Sequence, residues 1–205
     1  STEPFTGGAK TIEVDCTDAP EALQLAYHEH INYRDLSFAL TGTCYGHIEA
    51  VRGSIDEDGN YEETQIKDQT INIYSKDSEN IATIIPNDET NSVFLMGGFG
   101  GGLYLSDLHI QASAHDFYPV LFSRNGHGGL TNVTITGANN EESTTYAAVW
   151  LQEGAQAYIS NLTTSGTVVG LFARNNASVR FVQDSNLSAI DHAIRAVAGV
   201  SVNHR

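Results

Sequence analysis

Basic side chains, cysteines and long apolar runs are scarce in this chain of 205 residues. It has 10 Lys and Arg against 25 Asp and Glu, a formal net charge of -15 at pH 7. Such a charge repels nucleic-acid phosphates and anionic lipid headgroups. No segment approaches the roughly 18 consecutive apolar residues that a membrane-spanning helix needs. The sequence therefore predicts no nucleic-acid partner and no membrane span.

Two cysteines are present, and each closes a short strand-like run. Cys16 ends the run IEVDC and Cys44 ends the run FALTGTC. If the two strands are neighbours, a disulfide between them contributes roughly 3 kcal/mol for a loop of this size. The alternative is a pair of buried thiols in a reducing cytosol. The abundant Asn and Gly and the few Lys favour an exported protein, whether secreted, extracellular, at the cell surface or periplasmic.

Four segments of the sequence align with one another. Residues 103–110, 130–135 and 159–164 read LYLSDLHI, LTNVTI and ISNLTT, and residues 181–188 follow them less closely. Asp107 and Asn132 are 25 residues apart, and Asn132 and Asn161 are 29 residues apart. Unequal spacings of this kind fit a solenoid whose strands keep register while its loops vary in length.

A polar corner interrupts each repeat. Leu103 and Leu105 alternate with polar residues, but Leu108 resumes the pattern out of phase, which a straight strand cannot accommodate on one face. We therefore place the three equivalent polar residues at stacked corners, where their side chains form a hydrogen-bonded ladder: Asp107, Asn132 and Asn161. In the next repeat Asn186 comes about three residues late, which predicts a bulge or a longer turn there.

We expect one domain over residues 11–205, preceded by a flexible lead of residues 1–10. Asp18 and Glu21 have the spacing of a capping box and predict a helix at about residues 18–32. Such a helix would cover the N-terminal end of the solenoid. No closing helix follows the strands of residues 193–205, so the C-terminal coil is predicted to be open. An open coil predicts either a longer polypeptide or a homo-oligomer stacked end to end.

A capping helix followed by three-strand coils with Asn at a tight corner resembles the pectin-lyase-like right-handed parallel β-helix. The resemblance implies an all-β solenoid over about residues 11–205. Members of that superfamily are commonly secreted polysaccharide lyases and hydrolases, phage tailspikes or surface proteins. It therefore implies carbohydrate or surface biology rather than one activity.

Catalytic candidates come from the same resemblance. Gly126-His127-Gly128 looks like the Gly-His-Gly element of polygalacturonase-type hydrolases, but their Asn-Thr-Asp, Asp-Asp and Arg-Ile-Lys elements are missing. Hydrolysis needs two carboxylates. A lyase needs a base, and Arg124 and Arg174, with Glu153 between them, follow first strands of their coils. Arg124, Glu153 and Arg174 are predicted to form either a sugar-facing row or a surface salt-bridge ladder.

Binding candidates lie on one predicted outward row. Tyr104, Tyr158 and Arg180 are equivalent in successive coils, with a gap at Gly129. Tyrosines on a rigid flat sheet can stack on sugar rings, although exposed tyrosine is also a common strand residue.

A calcium site is a further candidate. The acidic segment 56–63 places five carboxylates around a glycine turn, which suits a cation that prefers oxygen ligands such as Ca²⁺. Four of its side chains are the candidate ligands: Asp56, Asp58, Asn60 and Glu63. The alternative is a solvated acidic loop. No other cofactor is implied.

The sequence thus predicts a secreted or cell-surface β-helix with a noncatalytic role in polysaccharide binding or surface assembly. The first alternative is a lyase or glycoside hydrolase acting on acidic polysaccharide. The second is a subunit of a self-assembling structural filament. The sequence lacks the pair of carboxylates that glycoside hydrolysis needs, which favours the noncatalytic role over the two alternatives.

Overall fold

In a computed structural model the chain forms a parallel β-solenoid of about six turns with a helix near its N-terminus. The structure describes residues 7–51, 54–55, 61–62, 69–86, 95–112, 119–139 and 146–204. Within these residues no helix is long and apolar enough to cross a membrane. The predicted all-β solenoid with an N-terminal helix is confirmed.

The elements follow one another in a regular order. In chain order they are β1 (Gly7–Asp15), α1 (Ala22–Glu29), β2 (Tyr33–Thr41), β3 (Thr43–Tyr45), β4 (Ile48–Val51), β5 (Ser54–Ile55), β6 (Tyr61–Glu62), β7 (Thr70–Ser75), β8 (Ala82–Ile85), β9 (Leu95–Gly98), β10 (Gly102–Gln111), β11 (Val120–Ser123), β12 (His127–Thr136), β13 (Ala147–Leu151), β14 (Gln156–Arg174), β15 (Ser178–Phe181), β16 (Asn186–Val197) and β17 (Ser201–His204).

Parallel pairing stacks these strands into three faces. The first face contains β1, β2, β7, the first halves of β10 and β12, the start of β14, then β15 and β17. The second contains β3, β8, the later halves of β10 and β12, the middle of β14 and the start of β16. The third contains β4, β9, β11, β13 and the ends of β14 and β16. The short β5–β6 pair is antiparallel.

Aliphatic side chains fill the interior in columns along the solenoid axis. Leu105, Leu130 and Ile159 pair in register on the first face and are at most 1% exposed. Leu108, Val133 and Leu162 form the matching column on the second face. Each fully buried side chain of this size contributes roughly 1.5 to 3 kcal/mol before chain entropy is subtracted. One coil is therefore marginal alone, and stacking supplies the stability.

The corner between the first and second faces is a single residue in three successive coils. Asp107, Asn132 and Asn161 have φ of 51°, 52° and 56°, a left-handed conformation that Asn and Asp tolerate better than most residues. Asn161 Nδ2 donates to Asn132 Oδ1 at 2.9 Å, and Asn132 Nδ2 donates to Asp107 Oδ1 at 3.2 Å. The predicted ladder is therefore present. In the next coil residues 182–185 form a longer corner and Asn186 pairs with Thr163, as its late position predicts.

Tight turns connect the third face to the first. Each has two central residues with positive φ, the requirement of a type I′ turn: 99–100, 124–125, 153–154, 175–176 and 198–199. Backbone hydrogen bonds close several of them, such as Gly126 N to Ser123 O at 2.9 Å. Successive turns also bond to each other, as Asn125 N does to Glu153 O at 2.9 Å.

The N-terminal end differs in detail from the prediction. Helix α1 begins at Ala22, and its N-cap residue Glu21 makes no side-chain capping hydrogen bond, so the capping box is wrong. Leu23 and Tyr27 are buried, and the Tyr27 hydroxyl donates to the backbone oxygen of Glu49 at 2.8 Å. The helix thus packs on the first full coil. Strand β1 begins at Gly7, inside the predicted flexible lead, because it pairs with β2 from Gly7 onward.

A disulfide joins the first two windings. Cys16 and Cys44 are bonded, with Cα atoms 5.3 Å apart and a sequence separation of 28. The predicted disulfide is confirmed, and both residues are at most 1% exposed.

A second apolar cluster lies outside the solenoid interior, on the outer side of the third face. Its members are Leu121, Tyr146, Ala147, Trp150, Val168, Val169 and Phe172. Trp150 and Phe172 stack with ring centroids 4.3 Å apart. Both sides of this face are therefore apolar, which the sequence prediction missed.

Candidate functional site

Two exposed tyrosines lie in one outward column of the first face. Tyr104 pairs with Gly129, Gly129 with Tyr158, and Tyr158 with Arg180. Tyr104 is 38% exposed and Tyr158 is 54% exposed. Alternation in the strands directs these four positions outward because their neighbours Leu105, Leu130, Ile159 and Phe181 face the core. We call Tyr104, Gly129, Tyr158 and Arg180 the tyrosine column.

The predicted gap at Gly129 is partly filled. A Cβ placed on Gly129 would lie 3.4 Å from Cδ1 of Tyr104, so this ring lies beside the glycine. The Tyr104 ring also meets His127 edge to face, with centroids 6.2 Å apart. The ring of Tyr104 is thus supported on two sides, whereas Tyr158 stands more open.

Arg180 completes the column at its C-terminal side. It makes no hydrogen bond or ion pair with any residue in the described part of the chain. Polar residues flank it in the neighbouring outward column, where His127 pairs with Gln156 and Gln156 with Ser178. The surface therefore combines two aromatic rings, a guanidinium without a partner among the described residues, and the polar side chains of His127, Gln156 and Ser178.

The Gly-His-Gly segment has a steric explanation. A Cβ on Gly126 would lie 2.2 Å from the carbonyl oxygen of Gly97, and one on Gly128 would lie 1.8 Å from that of Leu103. Both glycines are needed because neighbouring coils approach them closely. His127 lies between them on the first face, and the ring of His127 contacts Tyr104.

The two candidate arginines lie in different columns. Arg124 occupies the first turn position, and its Nε donates to Glu153 Oε2 at 3.2 Å. Arg174 is the last residue of β14 and donates from Nε and Nη2 to Gln152 Oε1, at 3.0 and 2.8 Å. The predicted row of Arg124, Glu153 and Arg174 is therefore wrong for its last member, because Asn175 takes the turn position in that coil.

The calcium candidates Asp56, Asp58, Asn60 and Glu63 lie outside the described residues. Elsewhere in the described structure, no group of three or more His, Cys, Asp and Glu side chains could hold a metal ion.

The shifted pKa values of described groups lie at the N-terminal end. Burial raises the pKa of the Tyr27 hydroxyl, with a smaller effect from Glu49. Desolvation raises the pKa of the Glu49 carboxyl. Hydrogen bonds from Thr17 lower the pKa of Asp15. These groups are remote in sequence from the tyrosine column.

No known protein family matches this chain. Neither a curated protein nor a solved structure matches it significantly. The parallel solenoid is established by the strand pairing itself, and the chemistry of its surfaces has to be argued from the side chains.

Proposed function

We propose that this protein is a secreted or cell-surface β-solenoid that binds polysaccharide without cleaving it. The observation that carries the proposal is the tyrosine column, in which Tyr104 and Tyr158 are 38% and 54% exposed on one flat face. Kinship with the pectin-lyase-like superfamily is part of the same proposal and is supported by the three-faced coil with its Asn corner.

The geometry suits an extended glycan. Rungs of a parallel sheet are about 4.8 Å apart, so Tyr104 and Tyr158, two rungs apart, present their rings roughly 10 Å from each other. Aromatic rings stack on the apolar faces of sugars and lose little conformational entropy on binding. Arg180 and Gln156 add hydrogen-bonding groups for hydroxyls or carboxylates at the side of the column.

The overall acidity does not oppose an acidic glycan on this surface. Residues 1–90 contain 18 Asp and Glu against 5 Lys and Arg, a net charge of -13. Residues 91–205 contain 7 against 5, a net charge of -2. The tyrosine column lies wholly in the second part, where repulsion of anionic polymers is weak.

The proposed location rests on the disulfide. A bond between Cys16 and Cys44 persists in oxidising compartments and is rare in a reducing cytosol. An exported protein would meet extracellular or cell-wall polysaccharides.

Affinity electrophoresis through gels containing single neutral or uronate polysaccharides tests the proposal. Retardation by at least one polymer is expected, with Tyr158→Ala weakening it about tenfold through loss of stacking worth roughly 1 to 2 kcal/mol. Leu25→Ala is the matched control, because Leu25 is 63% exposed on α1. No retardation by any polymer, or equal retardation of wild type and Tyr158→Ala, would contradict the proposal.

The two alternative functions, a polysaccharide-cleaving enzyme and a filament subunit, can be tested with the same purified protein and polysaccharides. A lyase generates unsaturated products, and a hydrolase generates new reducing ends. A filament subunit forms long assemblies visible by electron microscopy without added glycan. Either result would replace the binding role.

A further inference from the structure

Three arginines on the outer side of the third face and its turn lie over aromatic rings. The guanidinium carbon of Arg124 is 4.6 Å from the centre of the Phe99 ring. The corresponding distances are 5.2 Å for Arg174 over Trp150 and 5.3 Å for Arg195 over Phe172. We call Arg124, Arg174 and Arg195 the arginine strip. It lies outside the tyrosine column, which belongs to the first face.

A hydrogen-bonded network fixes two members of the strip. Gln152 Oε1 accepts from Trp150 Nε1 at 3.1 Å as well as from Arg174. Gln152 Nε2 donates to Ser123 Oγ at 3.2 Å, and Ser123 Oγ donates to Glu153 Oε2 at 3.4 Å. Glu153 in turn accepts from Arg124. The two guanidinium groups are therefore positioned by one chain of contacts that spans three coils.

Both guanidinium groups retain unused donors. An arginine side chain has five N–H groups. Arg124 donates through Nε, and Arg174 donates through Nε and Nη2, within the described part of the chain. Both residues are exposed, and no hydrogen bond to a described residue occupies their other N–H groups. Because stacking and hydrogen bonds already restrict these side chains, little entropy remains to be lost when an anion binds.

Two arginines of the strip carry a net positive charge together with their partners. Glu153 forms an ion pair with Arg124, whereas Arg174 bonds to the neutral amide of Gln152. The part of the chain that contains the strip, residues 91–205, has a net charge of only -2. The Cα atoms of neighbouring members of the strip are roughly 8 to 10 Å apart. This estimate follows from the strand register with about 4.8 Å between paired strands and about 3.3 Å per residue along a strand. That spacing suits several anionic groups on one extended ligand better than one small ion.

We propose that the arginine strip binds sulfate groups, either as esters along a sulfated polysaccharide or as the free ion. Guanidinium groups donate paired, charge-assisted hydrogen bonds to such oxyanions. The site is separate from the tyrosine column and stands whether or not that column binds glycan.

Retention on immobilised dextran sulfate tests the strip, with neutral dextran as the blank matrix. Arg124→Gln/Arg174→Gln should bind dextran sulfate at least tenfold more weakly, since each lost charge-assisted hydrogen bond is worth about tenfold in affinity. The matched control Lys10→Gln/Lys76→Gln makes the same change in net charge near the N-terminal end and should change affinity less than twofold. Equal weakening of the two double variants, or no retention of wild type, would overturn the proposal.

A second variant guards against a folding defect. Arg174→Lys keeps the charge but loses the planar fork held by Gln152, and should bind severalfold more weakly while its urea-unfolding midpoint stays close to that of the wild type. Wild-type affinity in Arg174→Lys would also overturn the proposal. Salt elution from dextran sulfate then distinguishes the two sources of sulfate. If sodium sulfate elutes the protein better than sodium chloride of equal ionic strength, the strip binds the free sulfate ion. If the two salts elute it equally, the strip binds sulfate esters on the polymer.

The two proposals fail separately. Tyr158→Ala should leave dextran sulfate affinity unchanged, and the strip variants should leave retardation by the polysaccharide bound at the tyrosine column unchanged.

Discussion

Replacing Asn132 by alanine should destabilise the solenoid by about 2 to 3 kcal/mol. Asn132 is the middle residue of the corner ladder, where it accepts from Asn161 at 2.9 Å and donates to Asp107 at 3.2 Å. Its φ is 52°, in the left-handed region. The substitution therefore removes two hydrogen bonds and places an alanine in a conformation that it adopts poorly.

The magnitude follows from these two effects. An intramolecular hydrogen bond contributes about 0.5 to 1.5 kcal/mol net, and the lower end applies to exposed side chains, so the pair contributes about 1 kcal/mol. A left-handed conformation costs about 1 to 2 kcal/mol for most residues, and Asn adopts it more readily. Asn132→Gly removes the same hydrogen bonds without the strain and should cost about 1 kcal/mol.

Urea unfolding monitored by fluorescence measures the difference. The chain has one tryptophan, Trp150, which is 6% exposed and lies on β13, the strand that follows the strand of Asn132. Thr131→Ala is the control at an exposed neighbouring position and should change stability by no more than about 0.5 kcal/mol. The reasoning is refuted if Asn132→Ala is no worse than Thr131→Ala, or if Asn132→Gly is as destabilising as Asn132→Ala.

Further substitutions test other parts of the structure. Gly128→Ala should lower the urea midpoint strongly because its Cβ would lie 1.8 Å from a backbone oxygen, whereas the Cβ of Gly129→Ala meets nothing closer than 3.3 Å and should lower the midpoint much less. Reducing the Cys16–Cys44 disulfide should cost about 3 to 4 kcal/mol for a 28-residue separation, measured by denaturation with and without reductant; no shift would contradict this. Hydrogen bonds from Thr17 lower the pKa of Asp15 from 3.8, so their stabilising effect is complete above that value and is lost as the pH falls through the lowered pKa. Thr17→Val should raise the Asp15 pKa in an NMR titration, and an unchanged pKa would show that the hydroxyl donor is unimportant.

The repeat was accessible from sequence because its determinants are local. The change of apolar phase around Asp107, Asn132 and Asn161 implies a corner of one residue, and the structure has left-handed φ at each of them. The late position of Asn186 likewise predicts a longer corner. A period of alternating side chains can be counted along the chain without knowing what each strand contacts.

The start of the helix and the positions of the arginines were harder to predict from the sequence. The Asp18 and Glu21 pattern predicts a capping box, yet the helix begins at Ala22 because the chain first closes a turn in which Ala22 N bonds to Ala19 O at 3.0 Å. The sequence also places Arg174 at the turn position that Asn175 occupies. A shift of one residue moves a side chain to another column, and loop lengths alone do not determine it.

Alternation within each strand is a local property, so the amino-acid order already specifies that coils stack, where they bend and which side chains enter the narrow core. The contacts on the outer surface of the coils depend instead on how neighbouring coils are placed. Trp150 alternates outward like an exposed residue, yet it is buried against Phe172 from the next coil and lies under Arg174. Its environment depends on residues one coil away and on the exact register between coils, and neither is encoded in the local pattern of any single strand.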